Sequence, residues 1–203
     1  MVRIYGDCLS GNCYKLKLVT ELLGTPHAWK FVTWTDGGTR TADFLSNINP
    51  AGKVPVLETS KGEMIPESGA ALYYLARDSH LWPSSESDRA QVLRWMFFEQ
   101  YNHEPNVATL RFWLRFIGKS NLSEQQRALI PAKRIAGGDA LALMNDHLQG
   151  REYFVADEPS LADISLFAYT HLAEEGGFGL ENYPAICDWI DRIRALPGFM
   201  PMA

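Results

Sequence analysis

Apolar positions in the first eighty residues switch between two periods. Val2–Gly6 is a short apolar run that reads as a strand. Gly11-Asn12 mark a turn, after which Leu16, Leu18, Val19, Leu22 and Leu23 recur at helical spacing until Gly24. Residues 27–33 read as a second strand, and Asp36-Gly37-Gly38 as a loop. Residues 41–48 read as a short helix stopped by Asn49-Pro50. Residues 54–58 and 63–65 read as a hairpin turning at Lys61-Gly62. Residues 68–78 read as a helix with Ala71, Leu72, Leu75 and Ala76 inward. The predicted order is β-α-β-α-β-β-α.

The pattern changes after Leu81-Trp82-Pro83-Ser84-Ser85. Only helical spacing follows, over residues 88–118, 123–149, 161–176 and 184–196. The expected organisation is an α/β domain at 1–80 followed by an all-α domain at 87–203. Pro105 falls inside the first long helical pattern, where it removes one hydrogen bond and predicts a kink.

Composition narrows the classes. Of 203 residues, 46% are hydrophobic and 12% aromatic, enough for a packed core rather than a disordered chain. A net charge of −5 gives no general attraction for nucleic acid. No apolar run approaches the roughly 18 residues that span a membrane. The first residues do not read as a secretory signal. Three cysteines, Cys8, Cys13 and Cys187, make no disulfide framework, so a cytoplasmic location is expected. No clustered His/Cys set suggests a metal.

Three stretches carry candidate chemistry, each with a plainer alternative. Pro55 lies between apolar strand-like residues, where proline removes a ladder donor. It is either an edge-strand proline or the second residue of a cis Val54–Pro55 bond, which would free the Val54 backbone for an extended ligand. Glu67-Ser68 lie where a strand hands over to a helix. A helix N-terminus attracts a carboxylate, Ser68 adds a donor, and Glu67 can accept from an ammonium. The alternative is a serine cap beside a solvated glutamate. Ser10 and Asn12 stand at the first strand–helix turn. There a hydroxyl and an amide can donate to a thiolate and lower its pKa; the alternatives are an N-cap and a turn residue.

Taken together, residues 49–57, Glu67-Ser68, the element order and the helical second half resemble the cytosolic glutathione transferase family. The resemblance implies a thioredoxin-like first domain and a helical-bundle second domain. It implies Ser10 as the hydroxyl of the serine-type classes and Asn12 as the asparagine of some bacterial and fungal members. It also implies Pro55 as the family's cis-proline, Val54 as a backbone partner of the cysteinyl part, and Glu67 and Ser68 at the γ-glutamyl end. Lys53 lies where members often approach the glycine carboxylate. Ser160-Leu161-Ala162-Asp163 resembles the family's capping box. The implied activity is conjugation of glutathione, a co-substrate with no further cofactor, to a hydrophobic electrophile. A homodimer is implied as well.

Two other activities fit the same resemblance: glutathione-dependent disulfide or peroxide reduction, and a non-catalytic binding protein. Cys8 and Cys13 lie at the turn where redox relatives of the fold carry C-x-x-C, but here they are five positions apart. Inert thiols are the expectation. For the electrophile, Tyr101, His103, Arg111 and Trp113 are candidates to line an apolar pocket with a few polar contacts. His103 also fits a solvated surface histidine, and Arg111 a structural ion-pair partner.

Overall fold

A computed structural model describes residues 1–202. It divides into two compact units. One is Met1–Trp82 joined by the chain from Leu196 onward, and the other is Pro83–Ala195.

The first unit contains β1 (Val2–Gly6), α1 (Gly11–Leu22), β2 (His27–Phe31), α2 (Ala42–Asn47), β3 (Val56–Glu58), β4 (Met64–Pro66) and α3 (Ser68–Ala76). Its four strands are ordered β2-β1-β3-β4. β1 and β2 are parallel, with Ile4 opposite Trp29, because α1 carries the chain back between them. β3 runs antiparallel to both neighbours, with Leu57 opposite Ile4 on one side and Ile65 on the other. Ile4, Val56 and Leu57 on the sheet, Leu16, Leu18 and Val19 on α1, and Ala71 and Leu72 on α3 are all fully buried. This is the predicted element order, in the thioredoxin-like arrangement that the resemblance implies.

Several boundaries differ for local reasons. β3 begins at Val56 rather than 54, since Pro55 has no N–H for the ladder. The Val54–Pro55 peptide bond is cis. The hairpin closes through Thr59 N–H to Glu63 O at 2.9 Å, with Gly62 at φ +83°. The C-terminal segment returns to this unit instead of staying with the helices. Tyr14 Oη donates to Met200 O at 2.8 Å. Gly198, at φ +82°, passes so close to α1 that a β-carbon would stand 2.9 Å from Glu21 O.

The second unit is helical. α4 (Glu86–Phe98) runs through a π-helical stretch, Glu99–His103, into α5 (Glu104–Arg111) and a second π stretch, Phe112–Ile117. The junction residues Glu99, Glu104 and Phe112 keep right-handed helical backbone angles, so the run is continuous. Pro105 sits in the first turn of α5. Just before it the bonding widens to i→i−5, with Glu104 N–H bonding Glu99 O. α6 (Glu124–Leu148) starts with a capping box between Ser123 and Gln126. α7 (Leu161–Thr170) is buried at all ten positions and stops short of the predicted 176, where a 3₁₀ turn, Ala173–Gly176, follows. α8 (Pro184–Arg194) ends the unit.

Asp163 anchors α7. Its carboxylate accepts from Ser160 N–H (2.9 Å), Ser160 Oγ–H (2.9 Å), Phe154 N–H (3.1 Å) and Trp189 Nε1–H (2.9 Å). Burial pushes its pKa up, against the pull of these donors. One carboxylate thus ties the Phe154 loop, the start of α7 and α8 together.

Candidate functional site

Two helix N-termini define the polar centre of the first unit. Ser10 caps α1 with extended backbone, and its Oγ accepts from Cys13 N–H at 3.4 Å. The preceding loop is held by buried Asp7, whose carboxylate accepts from Leu9 N–H at 2.9 Å and whose carbonyl accepts from Ser10 N–H at 3.1 Å. Because Ser10 Oγ accepts from the backbone, its own proton remains to donate.

The second N-terminus is that of α3. Glu67 precedes it at φ +69°, a left-handed backbone angle that costs a non-glycine residue of order 1–3 kcal/mol. Its side chain is exposed, while Ser68 is buried. Ser68 Oγ–H donates to Asn12 Oδ1 at 3.1 Å, bringing the first turns of α1 and α3 together. Neither helix carries an acidic residue in its first turn. Both first turns thus lack an acid, Glu67 at the α3 cap points to solvent, and the N–H groups of the two helix ends suit anionic groups of a ligand.

The turn before β3 contributes the third component. Buried Asn49 donates from Nδ2 to Lys53 O at 2.9 Å and accepts Ala51 N–H at 3.0 Å. Gly52 takes φ +63°, and a β-carbon there would stand 2.6 Å from the Arg40 guanidinium. The turn leaves Lys53 exposed and Val54 half-buried just ahead of the sheet. Arg40 was not among the sequence candidates. Nothing local marks it, because its neighbour Gly52 is twelve residues away.

The cysteines are all free thiols. Cys13 is buried and accepts Asp7 N–H at 3.4 Å. Burial pushes its pKa to about 11, so it stays a neutral thiol at physiological pH. Cys8 is exposed.

The four pocket candidates of the helical unit separate. Tyr101 is 83% exposed, whereas His103, two residues on, is 0% exposed. His103 is therefore no solvated histidine; its Nε2 lies 3.1 Å from Thr170 Oγ1 in the core. Arg111 is also buried and pairs with Glu175 at 2.7 Å. Trp113 is half-buried, with Lys133 Nζ 5.6 Å from its ring centre and bonded to Pro105 O at 2.6 Å. The structure thus exposes Tyr101, leaves Trp113 half-buried, and packs His103 and Arg111 inside. Among the described residues, no group of three or more His, Cys, Asp or Glu side chains could hold a metal ion. No described helix is long and apolar enough to cross a membrane.

Residues 9–78 match the glutathione S-transferase N-terminal domain, and residues 104–197 the C-terminal domain. A glutathione S-transferase from Pseudomonas fluorescens superposes with a TM-score of 0.93 at 44% identity, covering 99% of this chain and 98% of that one. The chain belongs to the glutathione S-transferase family. A possible glutathione S-transferase from Rhodopseudomonas palustris is similar over 100% of this chain and 90% of its own, with a TM-score of 0.93 and 39% identity. Elongation factor 1-gamma of Artemia salina is 33% identical over 144 residues, 68% of this chain. The chain spans about a third of that relative's length (32%).

Proposed function

We propose that this family member binds glutathione along its first unit, activates the thiol and joins it to an apolar electrophile. The observation that carries the proposal is the meeting of the N-termini of α1 and α3 at Ser10, Asn12 and Ser68, with Glu67 as the only acid at either cap. The γ-glutamyl carboxylate takes the N-terminus of α3 at Ser68, and exposed Glu67 accepts from the adjacent ammonium. The cysteinyl backbone pairs with Val54, ahead of Pro55. Lys53 meets the glycine carboxylate, and Arg40, held beside Gly52, adds a second cation there. The thiol proton leaves to solvent, and Ser10 Oγ–H, Asn12 and the end of α1 stabilise the thiolate. The sulfur then forms a bond to the electrophilic carbon while the leaving group departs with its electron pair. Tyr101 and Trp113 of the helical unit are the candidates left for the electrophile, since His103 and Arg111 are taken up in that unit's core.

Calorimetry with glutathione, followed by a conjugation assay on the same sample, tests this reading. Binding with thioether product supports it. Oxidised glutathione as the product would shift the activity to disulfide or peroxide reduction. Absence of binding at millimolar glutathione would overturn both.

Similarity to elongation factor 1-gamma favours a second reading, in which the unit serves as a non-catalytic binding module. Binding without turnover on any electrophile or disulfide would support it. A cytoplasmic homodimer is part of the main proposal. Leu93 and Phe97, one turn apart on α4, are exposed apolar side chains that such an interface would cover. A solution mass of about twice the 22.8 kDa chain is expected, and a monomer's mass would overturn it.

A further inference from the structure

The chain carries a net charge of −5, yet three arginines gather about one turn of the helical unit, Ala173–Gly176 with Gly177 behind it. Arg111, at the end of α5, is buried and pairs with Glu175 at 2.7 Å. Arg115, one turn on in the second π stretch, is exposed and reaches the other oxygen of that carboxylate at 3.9 Å, too far for a hydrogen bond. Arg134, on α6, lies over Gly177, where a β-carbon would stand 3.1 Å from its Nη2. Gly177 takes φ +84°, an angle that keeps a side chain out of this place. Among the described residues, neither the Arg115 nor the Arg134 side chain donates a hydrogen bond to the protein, and Arg134 has no ion pair. The neighbouring Glu174 is exposed and pairs with neither. Aromatic rings adjoin the cations. The Phe116 ring centre lies 5.0 Å from the Arg111 guanidinium and 5.8 Å from that of Arg115. The exposed Phe112 ring follows, 6.3 Å from Phe116.

We propose that this turn of the helical unit is a binding site for an aromatic carboxylate, with the acid group held between Arg115 and Arg134 and the ring laid against Phe112 and Phe116. A guanidinium fork matches the two oxygens of a carboxylate. The short pair between Arg111 and Glu175 spends the one nearby acid on the core and leaves the two outer cations for a ligand. The missing side chain at Gly177 keeps the approach to Arg134 clear. The adjoining rings favour a flat apolar body over a bare inorganic anion. All of these residues lie within Pro83–Ala195, so the site does not rest on the glutathione reading above.

Calorimetry of the full chain with naphthoate tests this, with naphthylmethanol as the uncharged counterpart and inorganic phosphate as the bare anion. Naphthoate should bind about tenfold tighter than either. Arg115→Met and Arg134→Met, both at exposed positions, should each weaken it by about fivefold to tenfold, and added salt should weaken the wild type in the same direction. Phe112→Ala should weaken naphthoate and leave phosphate unchanged. Equal binding of the alcohol would overturn the role of the arginines, and equal binding of phosphate would overturn the aromatic seat. Naphthoate binding that survives in a protein carrying both arginine changes, but is lost in Lys53→Met, would put the acid in the first unit and overturn the proposal. So would the absence of binding at millimolar naphthoate. Each outcome is read without glutathione, so the glutathione proposal stands or falls separately.

Discussion

The candidate chemistry of the first unit and that of the helical unit are built differently. In the first unit it is made of chain ends and turns: the cap at Ser10, the strained Glu67 before α3, and the Asn49 turn that presents Lys53 and Val54. In the helical unit it depends on which side of a helix faces out. Tyr101 and His103 are two residues apart in the same π stretch, yet one is almost wholly exposed and the other wholly buried. Caps and turns bring their geometry with them in a few consecutive residues. A helix face acquires its role only from what packs against it. Polar side chains in the second unit therefore serve its core first, as Asp163, His103 and Arg111 all do.

The largest test of this contrast is Asp163→Ala. It leaves two backbone N–H groups, the Ser160 hydroxyl and the Trp189 indole without their acceptor, all in the core. A loss of about 3–5 kcal/mol is expected in denaturant unfolding, or no soluble protein. A loss below about 1 kcal/mol would break the view of Asp163 as an anchor.

Acid should strike the helical unit next. Burial pushes the pKa of His171 down from 6.5 to about 4, with its Nδ1 2.7 Å from Phe167 O and its ring stacked on Phe167. The folded pKa lies below the unfolded one. The unfolded chain therefore takes up a proton that the folded chain refuses, and stability falls as pH drops from about 6.5 toward 4. His147, also lowered by burial, acts in the same direction. The His171 contribution is about 3 kcal/mol across that window. Unfolding midpoints measured at several pH values should lose part of this slope in His171→Phe. An unchanged slope would assign the acid sensitivity elsewhere.

Ser10→Ala and Glu67→Gly sharpen the contrast from the other side. Removing the Ser10 hydroxyl should reduce conjugation by about tenfold to a hundredfold and raise the bound-thiol pKa. Stability should fall by only about 1 kcal/mol, the loss of an N-cap. An unchanged rate would remove Ser10 from the chemistry. Glycine at position 67 relieves the left-handed backbone and should stabilise the fold by about 1 kcal/mol while weakening glutathione binding. Stabilisation without loss of affinity would separate the strain from ligand binding.

The smallest expected effect is that of Tyr101→Ala. With its side chain in solvent, stability should stay within about 0.5 kcal/mol, and any kinetic change should appear for the electrophile rather than glutathione. His103→Ala, by contrast, should destabilise the unit clearly, since it opens a cavity beside Thr170.

Much of the fold follows from short-range information. The alternation from Val2 to Ala76, the stop at Asn49-Pro50, the hairpin at Lys61-Gly62 and the S-x-x-D pattern at Ser160 involve neighbours within a turn or two, so residue type alone sets them. The same holds for the places of Ser10 and Ser68 at helix starts. The Ser123–Gln126 capping box was equally local and could have been read from the S-x-x-Q spacing. What tertiary structure decided lies between residues far apart in the chain. Asn12 meets Ser68 only because the sheet sets α1 beside α3, and Arg40 lies on Gly52 only because Gly52 has no side chain to exclude it. The backbone before Pro105 widens into a π stretch, a rearrangement of several carbonyls together that no local pattern announces. The chain beyond Leu196 joins α1 through Gly198 and Tyr14, two positions whose separation hides their contact from any local pattern. Local torsional preference and hydrophobic period are written residue by residue; burial and long-range polar pairing exist only once the elements have packed.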